Sequence, residues 1–224
     1  MQFTTLSIRS IAVAAATLAV AASANAALTL PTNFLVADSV QAFSELSQDS
    51  LAADGVTVTP LGNATAVAGA VSAYRLPITT ITLNGLKISK GDAKGSALQF
   101  TRTYRSKDYA LTLANFTINY DTKQVLADAT ASGGVTSKQQ AIYNFHTAMP
   151  LAIKYKFPLR ITAHEVLDEL MLTPETVNSF VTGLSLNKAG RSVISSISFG
   201  TLTQDIAVKF RAKAVSTKLY VPAP

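Results

Sequence analysis

Short segments of alternating apolar and polar residues, separated by turn residues, recur along this chain from Ile78 onward. Asn84-Gly85 stands between two of them and is a pair that accepts the two positive φ angles of a two-residue hairpin. The alternation predicts strands at residues 78–83, 86–89, 96–104, 109–120, 124–130, 141–147, 151–157 and 206–215. We therefore expect a mainly β fold, a single-domain β-sandwich or open barrel with short helical insertions.

Two irregularities are expected within these strands. Along residues 109–120 the apolar positions change phase, and a bulge near Asn115 would reconcile the two phases. Residues 91–95 (GDAKG) are rich in turn formers and predict a loop. Residues 141–147 also allow a second interpretation, a short helix capped at Ser137.

Three segments predict helices. Residues 39–53 follow Asp38, a good N-cap, and end at Asp54-Gly55. Residues 162–171 begin with the T-x-x-E capping box of Thr162 and Glu165. Residues 173–182 begin with Thr173 followed by proline, a residue favoured at the first helical position.

The first 26 residues have the composition of a secretory signal peptide. Arg9 precedes an apolar stretch at residues 11–22, and Ala24-Asn25-Ala26 is a small-residue cleavage site. The sequence predicts a secreted or periplasmic protein that starts at Ala27, with one β-rich domain over residues 27–224. No later stretch is long and apolar enough for a transmembrane helix, and without cysteine the chain has no disulfides or thiolate chemistry.

The chain is basic, with 19 Lys and Arg against 13 Asp and Glu. In the last predicted strand, period-two alternation places Val208, Phe210 and Ala212 toward the core. The same alternation places Lys209, Arg211 and Lys213 outward as a basic stripe. Such a stripe would suit anionic surface polymers or other matrix proteins rather than a specific nucleic acid; the alternative is a solvated edge that discourages aggregation.

No motif indicates catalysis. His164-Glu165-Val166-Leu167-Asp168 resembles a zinc-protease helix, but its fifth residue is Asp, and a helix start explains the same residues. Ser185 and Lys188 match S-x-x-K without the other boxes of penicillin-binding enzymes. We expect a non-enzymatic protein with no metal site.

A histidine between aromatic residues is the candidate ligand site. His146 follows Tyr143 and Phe145 on a predicted strand, with Ile142, Asn144 and His146 on one face. Tyr104 lies in a second cluster, where basic and aromatic residues alternate. His146 with Tyr143 or Tyr104 could bind haem iron or a small hydrophobic ligand. The alternative interpretation is a structural histidine on a partly buried strand and a solvated hairpin end at Tyr104.

Four strings carry a family resemblance: DGVTVTPLG (54–62), RLPIT (75–79), LTLANFTINY (111–120) and LTPETVN (172–178). In this order they resemble secreted bacterial β-proteins that are distantly similar to the HtaA haem-transport domain family. The resemblance implies an exported β-sandwich-like domain and, secondarily, haem binding. Proteins of this kind often carry His-Gly-Gly-Leu before the central strand, where residues 94–98 here read KGSAL.

Together these features predict an exported, non-enzymatic binding or structural protein of the cell surface or extracellular matrix, with no cofactor. The alternative is a carrier of haem or of a small hydrophobic ligand. A third interpretation is a hydrolase whose site carries no recognisable motif.

Overall fold

We describe the protein from a computed structural model that covers residues 27–84, 87–156 and 160–223. The predicted signal peptide, residues 1–26, lies outside the described residues. The strands are β1 (Leu28–Pro31), β2 (Leu35–Ala42), β3 (Val56–Gly62), β4 (Thr65–Ala66), β5 (Ala73–Pro77), β6 (Thr80–Asn84), β7 (Lys87–Tyr104), β8 (Lys107–Asn119), β9 (Gln124–Ala131), β10 (Ser137–Lys156), β11 (Arg160–Leu172) and β12 (Thr201–Phe210). The helices are α1 (Glu45–Ala53), α2 (Pro174–Gly183) and α3 (Lys188–Ile194).

The strands form one antiparallel sheet in the order β1-β6-β7-β8-β9-β10-β11-β12-β2-β5-β4. β6 pairs with the first residues of β7, across the predicted hairpin, and β3 pairs with residues 96–102 of the same strand. The sheet curls until the residues after β5 meet β7, where Thr79 N donates to Asp92 O at 2.7 Å. The architecture is therefore mainly β, as predicted, and takes the form of an open barrel.

The main core runs from the helices beside the β7–β8 turn to Ile118 and Val125 near the β8–β9 turn. Phe180 of α2 is fully buried, and its ring lies 4.8 Å from that of Phe100 and 5.9 Å from that of Phe199. A second, smaller cluster of Ala37, Ile78 and Ile81 lies apart from this core. The second cluster lies toward the β8–β9 turn, and the candidate functional site is at this end of the barrel.

The predicted bulge near Asn115 is confirmed. Asn115 has a φ of 55°, and the pairing of β8 shifts register there with both β7 and β9. Its Oδ1 accepts from Gly95 N at 3.0 Å and from Tyr220 N at 2.8 Å, so the bulge also holds the C-terminal segment. The predicted loop at 91–95 is wrong, because these residues continue β7 through the irregularity that opposes the bulge.

The helix predicted at 39–53 is half wrong. Residues 35–42 form β2, which pairs with β12 on one side and β5 on the other, and this ladder outweighs weak helix propensity. The helix starts only after Ser44, whose side chain accepts from Ser47 N. Asp38 caps nothing; its carboxylate lies 2.6 Å from the guanidinium of Arg211.

The helix predicted at 162–171 is a strand, β11, which pairs with β10 and β12. Leu167 and Leu170 are both fully buried although they are three residues apart. Glu169, with a φ of 50°, adds one residue to β11 between them. Because of this bulge, the buried residues of the strand have the three-residue spacing that is typical of a helix. Thr162 and Glu165 therefore form no capping box.

The segment from 137 to 156 is one long strand, β10, rather than two strands or a helix capped at Ser137. Ile142 and Tyr143 are both buried, because β10 shifts register against β9 between Ala141 and Tyr143. The predicted common face of Ile142, Asn144 and His146 is therefore wrong. Asn144 and His146 are exposed on the outer side.

The last strand ends at Phe210 rather than continuing to 215. Its register against β2 shifts between Ala207 and Phe210, so the predicted alternation breaks there. Phe210 is 74% exposed and Ala212 is exposed, which corrects the prediction that they face the core. The side chain of Val208 lies outside the described residues.

The cap of α2 gives a first testable prediction. Thr173 Oγ1 accepts from Thr176 N and donates to Ala141 O at 2.6 Å, so it ties the helix to β10. Thr173→Ala should lower the free energy of unfolding by about 0.5 to 2 kcal/mol, measured by urea denaturation. Thr162→Ala, at an exposed strand position, is the matched control and should change it little. Equal losses in both variants would contradict the assignment of the cap.

Candidate functional site

Two arms extend from the barrel further than the turn that joins β8 and β9. β8 ends at Asn119 and β9 begins at Gln124, whereas the neighbouring strands continue further. The first arm is the β6–β7 hairpin, residues 80–84 and 87–90. The second arm is formed by residues 146–156 of β10 with their partners in β11 and β12. A cleft lies between the two arms, above the small cluster of Ala37, Ile78 and Ile81.

The cleft is lined mainly by aliphatic side chains from both arms. Ile81 and Ile88 come from the first arm, and Leu151 and Ile206 from the second. Ile118, at the end of β8, lies at the base. The base holds a cavity of about 10 Å³, and a second cavity of about 20 Å³, lined in part by the same residues, lies deeper in the barrel. Each has room for roughly one water molecule.

Large apolar side chains of the second arm remain exposed on the strand face that lines the cleft. Ile153 is 69% exposed and Tyr155 is 63% exposed. Ile153 pairs with Ala163, which in turn pairs with Ile206, so all three side chains lie on the face that lines the cleft. The aliphatic lining therefore continues to the solvent as an apolar mouth.

The floor of the cleft is polar. Gln204 lines the cavity and is 2% exposed, and neither its Nε2 nor its Oε1 has a hydrogen-bond partner among the described residues. Glu165 and Ser39 are its cross-strand neighbours, both buried, and Ser39 Oγ likewise lacks a partner within the described ranges. Buried amide and hydroxyl groups are normally satisfied, so this floor is equipped to bind a further polar group.

Glu165 is held beside this floor by a tyrosine. The Tyr120 hydroxyl donates to Glu165 Oε2 at 2.6 Å. Burial raises the pKa of Glu165, and the hydrogen bond from Tyr120 offsets part of that rise. Burial and the neighbouring Glu165 together raise the pKa of Tyr120, so its hydroxyl remains a donor.

Glu165 gives a prediction about pH. Because its folded pKa lies above the ordinary 4.5, the folded state binds the proton more tightly than the unfolded state. Its contribution to stability is complete below 4.5 and is lost as pH rises through the folded pKa. Glu165→Gln cannot ionise, so urea denaturation across pH should show that this variant lacks that decline. Glu169→Gln, an exposed position on the same strand, is the control and should retain it. Identical pH profiles for wild type and Glu165→Gln would contradict the account.

The structure does not bring the predicted haem ligands together. The Tyr143 hydroxyl is buried in the core and accepts from Gln41 Nε2 at 3.0 Å. His146 is exposed on the opposite face of β10, with Nδ1 2.9 Å from Asp168 Oδ1. Tyr104 lies beside the β7–β8 turn, where Arg102 and Arg105 stack on its ring. These three side chains cannot bind one haem iron.

The predicted basic stripe is also broken up. Lys209 and Lys213 are exposed, but Arg211 follows the end of β12 and is largely buried. Its guanidinium donates to Asp38 Oδ1 and to two backbone carbonyls of β2. Arg211 therefore holds the C-terminal segment against β2, and the described geometry gives no outward row of three cations.

The zinc-like string is divided between the two faces of β11. His164 faces outward, with Nδ1 2.7 Å from Asp205 Oδ1, whereas Glu165 faces the cleft. Among the described residues no group of three or more His, Asp or Glu side chains could hold a metal ion. The S-x-x-K match spans the start of α3, where Asn187 is the N-cap.

The cleft residues escaped the sequence analysis for an identifiable reason. Thr162 and Glu165 have the T-x-x-E spacing of a capping box, and this local pattern predicts a helix start at these residues. Gln204 precedes the segment that alternation assigned to the last strand, residues 206–215. Reading 164–167 as a strand would have placed Glu165 and Leu167 on one buried face, which was the available signal.

Comparison with known proteins gives one distant structural similarity. Neither the protein-family models nor the curated protein sequences contain a match to this chain. Among solved structures, the fold is similar to the C-terminal domain of HtaA from Corynebacterium glutamicum, with a TM-score of 0.47 and 9% sequence identity. The match covers 79% of this chain and 99% of that domain. None of the described helices is long and apolar enough to cross a membrane.

Proposed function

We propose that this protein is an exported, non-enzymatic binding protein that holds a small, mostly apolar ligand in the cleft between its two arms. The observation that carries the proposal is the apolar mouth. Ile153 and Tyr155 are exposed, and they follow Leu151 on the face of the second arm that lines the cleft at Leu151 and Ile206. Ligand sites are typically concave and mainly apolar, with a few polar groups that fix orientation.

The polar floor favours a ligand over a purely structural role. A surface that served only to pack against matrix polymers would not need an unpartnered glutamine at the base of a cleft. A buried amide without partners is costly, and a ligand that supplies partners recovers that cost. Export rests on the signal peptide predicted at residues 1–26.

Haem is not the ligand we propose. Tyr143, His146 and Tyr104 do not converge, and the cleft lining is aliphatic with the amide of Gln204 and the hydroxyl of Tyr120 at its base. Anionic polymers are a weaker candidate for a related reason, since Arg211 is engaged by Asp38 rather than presented to a partner.

The binding test uses the mature chain and Nile red, a neutral dye whose fluorescence rises in apolar surroundings. The wild type should bind the dye saturably. A double variant, Ile153→Asp with Tyr155→Asp, should weaken binding by about tenfold or more, because two charges at the mouth oppose burial of apolar surface.

The control variant introduces two aspartates at exposed positions away from the cleft. Val71 and Val135 are 80% and 93% exposed and do not line the cleft. Val71→Asp with Val135→Asp should leave dye binding unchanged. Absence of saturable binding by the wild type, or equal effects of the two double variants, would reject the proposed function.

A further inference from the structure

Gln204 stands at the position where the polar end of a ligand would arrive. It lies two residues before Ile206 on β12, so its side chain is on the same face but deeper in the cleft. Both of its amide atoms are inaccessible and unpartnered within the described residues. Its Nε2 needs an acceptor and its Oε1 needs a donor.

We propose that Gln204 recognises the end group of the apolar ligand, and that this end group is neutral and both donates and accepts hydrogen bonds, as a primary amide or an alcohol does. The inference rests on the proposed function, because it assigns the polar end of the ligand held in that cleft. A primary amide matches Gln204 best, since its N–H and C=O can engage Oε1 and Nε2 at once.

The surroundings of Gln204 select against a charged end group. No lysine, arginine or histidine is among the described residues that line the two cavities. Glu165 is the direct cross-strand neighbour of Gln204, and its carboxyl is buried. A carboxylate or phosphate would lose its hydration beside another acidic group with no cation to compensate.

The apolar walls define the rest of the ligand. Ile81 and Ile88 on one arm and Leu151 and Ile206 on the other are close enough to line one narrow cavity. An alkyl chain can contact the aliphatic walls of both arms at once, so it matches this lining. The expected class is therefore a neutral amphiphile with its polar end inward and its chain toward Ile153 and Tyr155.

The experiment compares alkyl chains of equal length that end in a primary amide, an alcohol, a carboxylate or a methyl group. Each competes with Nile red on the mature wild-type chain and on Gln204→Leu. For the wild type, the amide and the alcohol should displace the dye at concentrations about tenfold below those of the carboxylate and the methyl-ended chain. Gln204→Leu should retain binding of the methyl-ended chain and lose the preference for amide and alcohol.

Two further variants keep the result interpretable. Thr203→Val changes the neighbouring residue, which lies on the other face of β12, and should keep the end-group preference. If Gln204→Leu does not fold, Gln204→Met takes its place, because methionine preserves the length of the side chain. A preference that persists without Gln204, or a wild type that does not discriminate end groups, overturns this inference while apolar binding stands. Failure of every chain and of the dye to bind rejects the proposed function itself.

Discussion

Phe180→Ala should lower the free energy of unfolding by about 3 to 5 kcal/mol, the usual cost of truncating a fully buried aromatic ring. Phe180 is 0% exposed and meets Phe100 and Phe199 edge to face, so the loss includes aromatic contacts as well as a cavity. Chemical denaturation of a purified chain that starts at Ala27, the predicted mature N-terminus, measures the change. The result would show that α2 is part of the barrel core rather than an appended helix.

Phe210→Ala is the matched control, because it removes the same ring from an exposed position. Phe210 stacks on Phe34 at 5.9 Å but remains mostly solvated, so its removal should cost well under half as much. Simple alternation along residues 206–215 predicts the opposite order of the two effects. A larger loss for Phe210→Ala than for Phe180→Ala would contradict the placement of the bulge after Ala207.

Asp38→Ala should be the second severe substitution, at about 3 to 5 kcal/mol, because it removes one partner of a largely buried ion pair. The Asp38 carboxylate lies 2.6 Å from Arg211 Nη2 and 3.5 Å from Arg75 Nη1. Without Asp38, the Arg211 guanidinium remains mostly buried. Among the described residues it then keeps only the backbone carbonyls of Leu35 and Ala37 as hydrogen-bond acceptors. Thermal or chemical unfolding of the variant checks the expectation.

Asp205→Ala provides the comparison, since Asp205 is the cross-strand neighbour of Asp38. Asp205 pairs with His164 at the surface, and exposed pairs of this kind contribute about 0 to 1 kcal/mol. A small effect at Asp38 would contradict the view that Arg211 fastens the C-terminal segment to β2. A large effect at Asp205 would show that the outer face of this sheet is more ordered than its exposure indicates.

The sequence predicted the features of this fold that depend on local chemistry. The strands on either side of the predicted turn pair as a hairpin, although Asn84 belongs to β6 and pairs with Lys87, and residues 85 and 86 lie outside the described residues. A phase change marked the bulge at Asn115. Thr173 and Pro174 marked the start of α2. Each of these features depends on backbone geometry within a few residues, so the neighbouring sequence is sufficient to predict it.

The errors arose where pairing across the sheet decides the outcome. Residues 35–42 and 160–172 become strands because partners far along the chain complete their ladders on both sides. The bulges at Glu169 and after Ala207 reset which side chains face inward, and period-two reasoning assumes that no residue is added.

The candidate site was missed for the same reason. The cleft exists because two arms extend past a short turn, and the lengths of paired strands follow from the sheet as a whole. Gln204 and Glu165 become neighbours only through the pairing of β11 with β12. Motif analysis favoured His146 and its tyrosines instead, because aromatic residues near a histidine form a recognisable pattern whether or not they converge.

Photo-crosslinking tests the central claim most directly, namely that an apolar ligand occupies the cleft between the arms. A neutral alkyl amide that carries a diazirine on its chain would be bound to a chain that starts at Ala27. After irradiation, mass spectrometry of the peptides would locate the crosslinked residues. We expect labelling in residues 80–84, 87–90 and 150–156, and we expect the unlabelled amide to abolish it. Competable labelling confined to other regions, such as the loops at Val71 and Val135, would contradict the account.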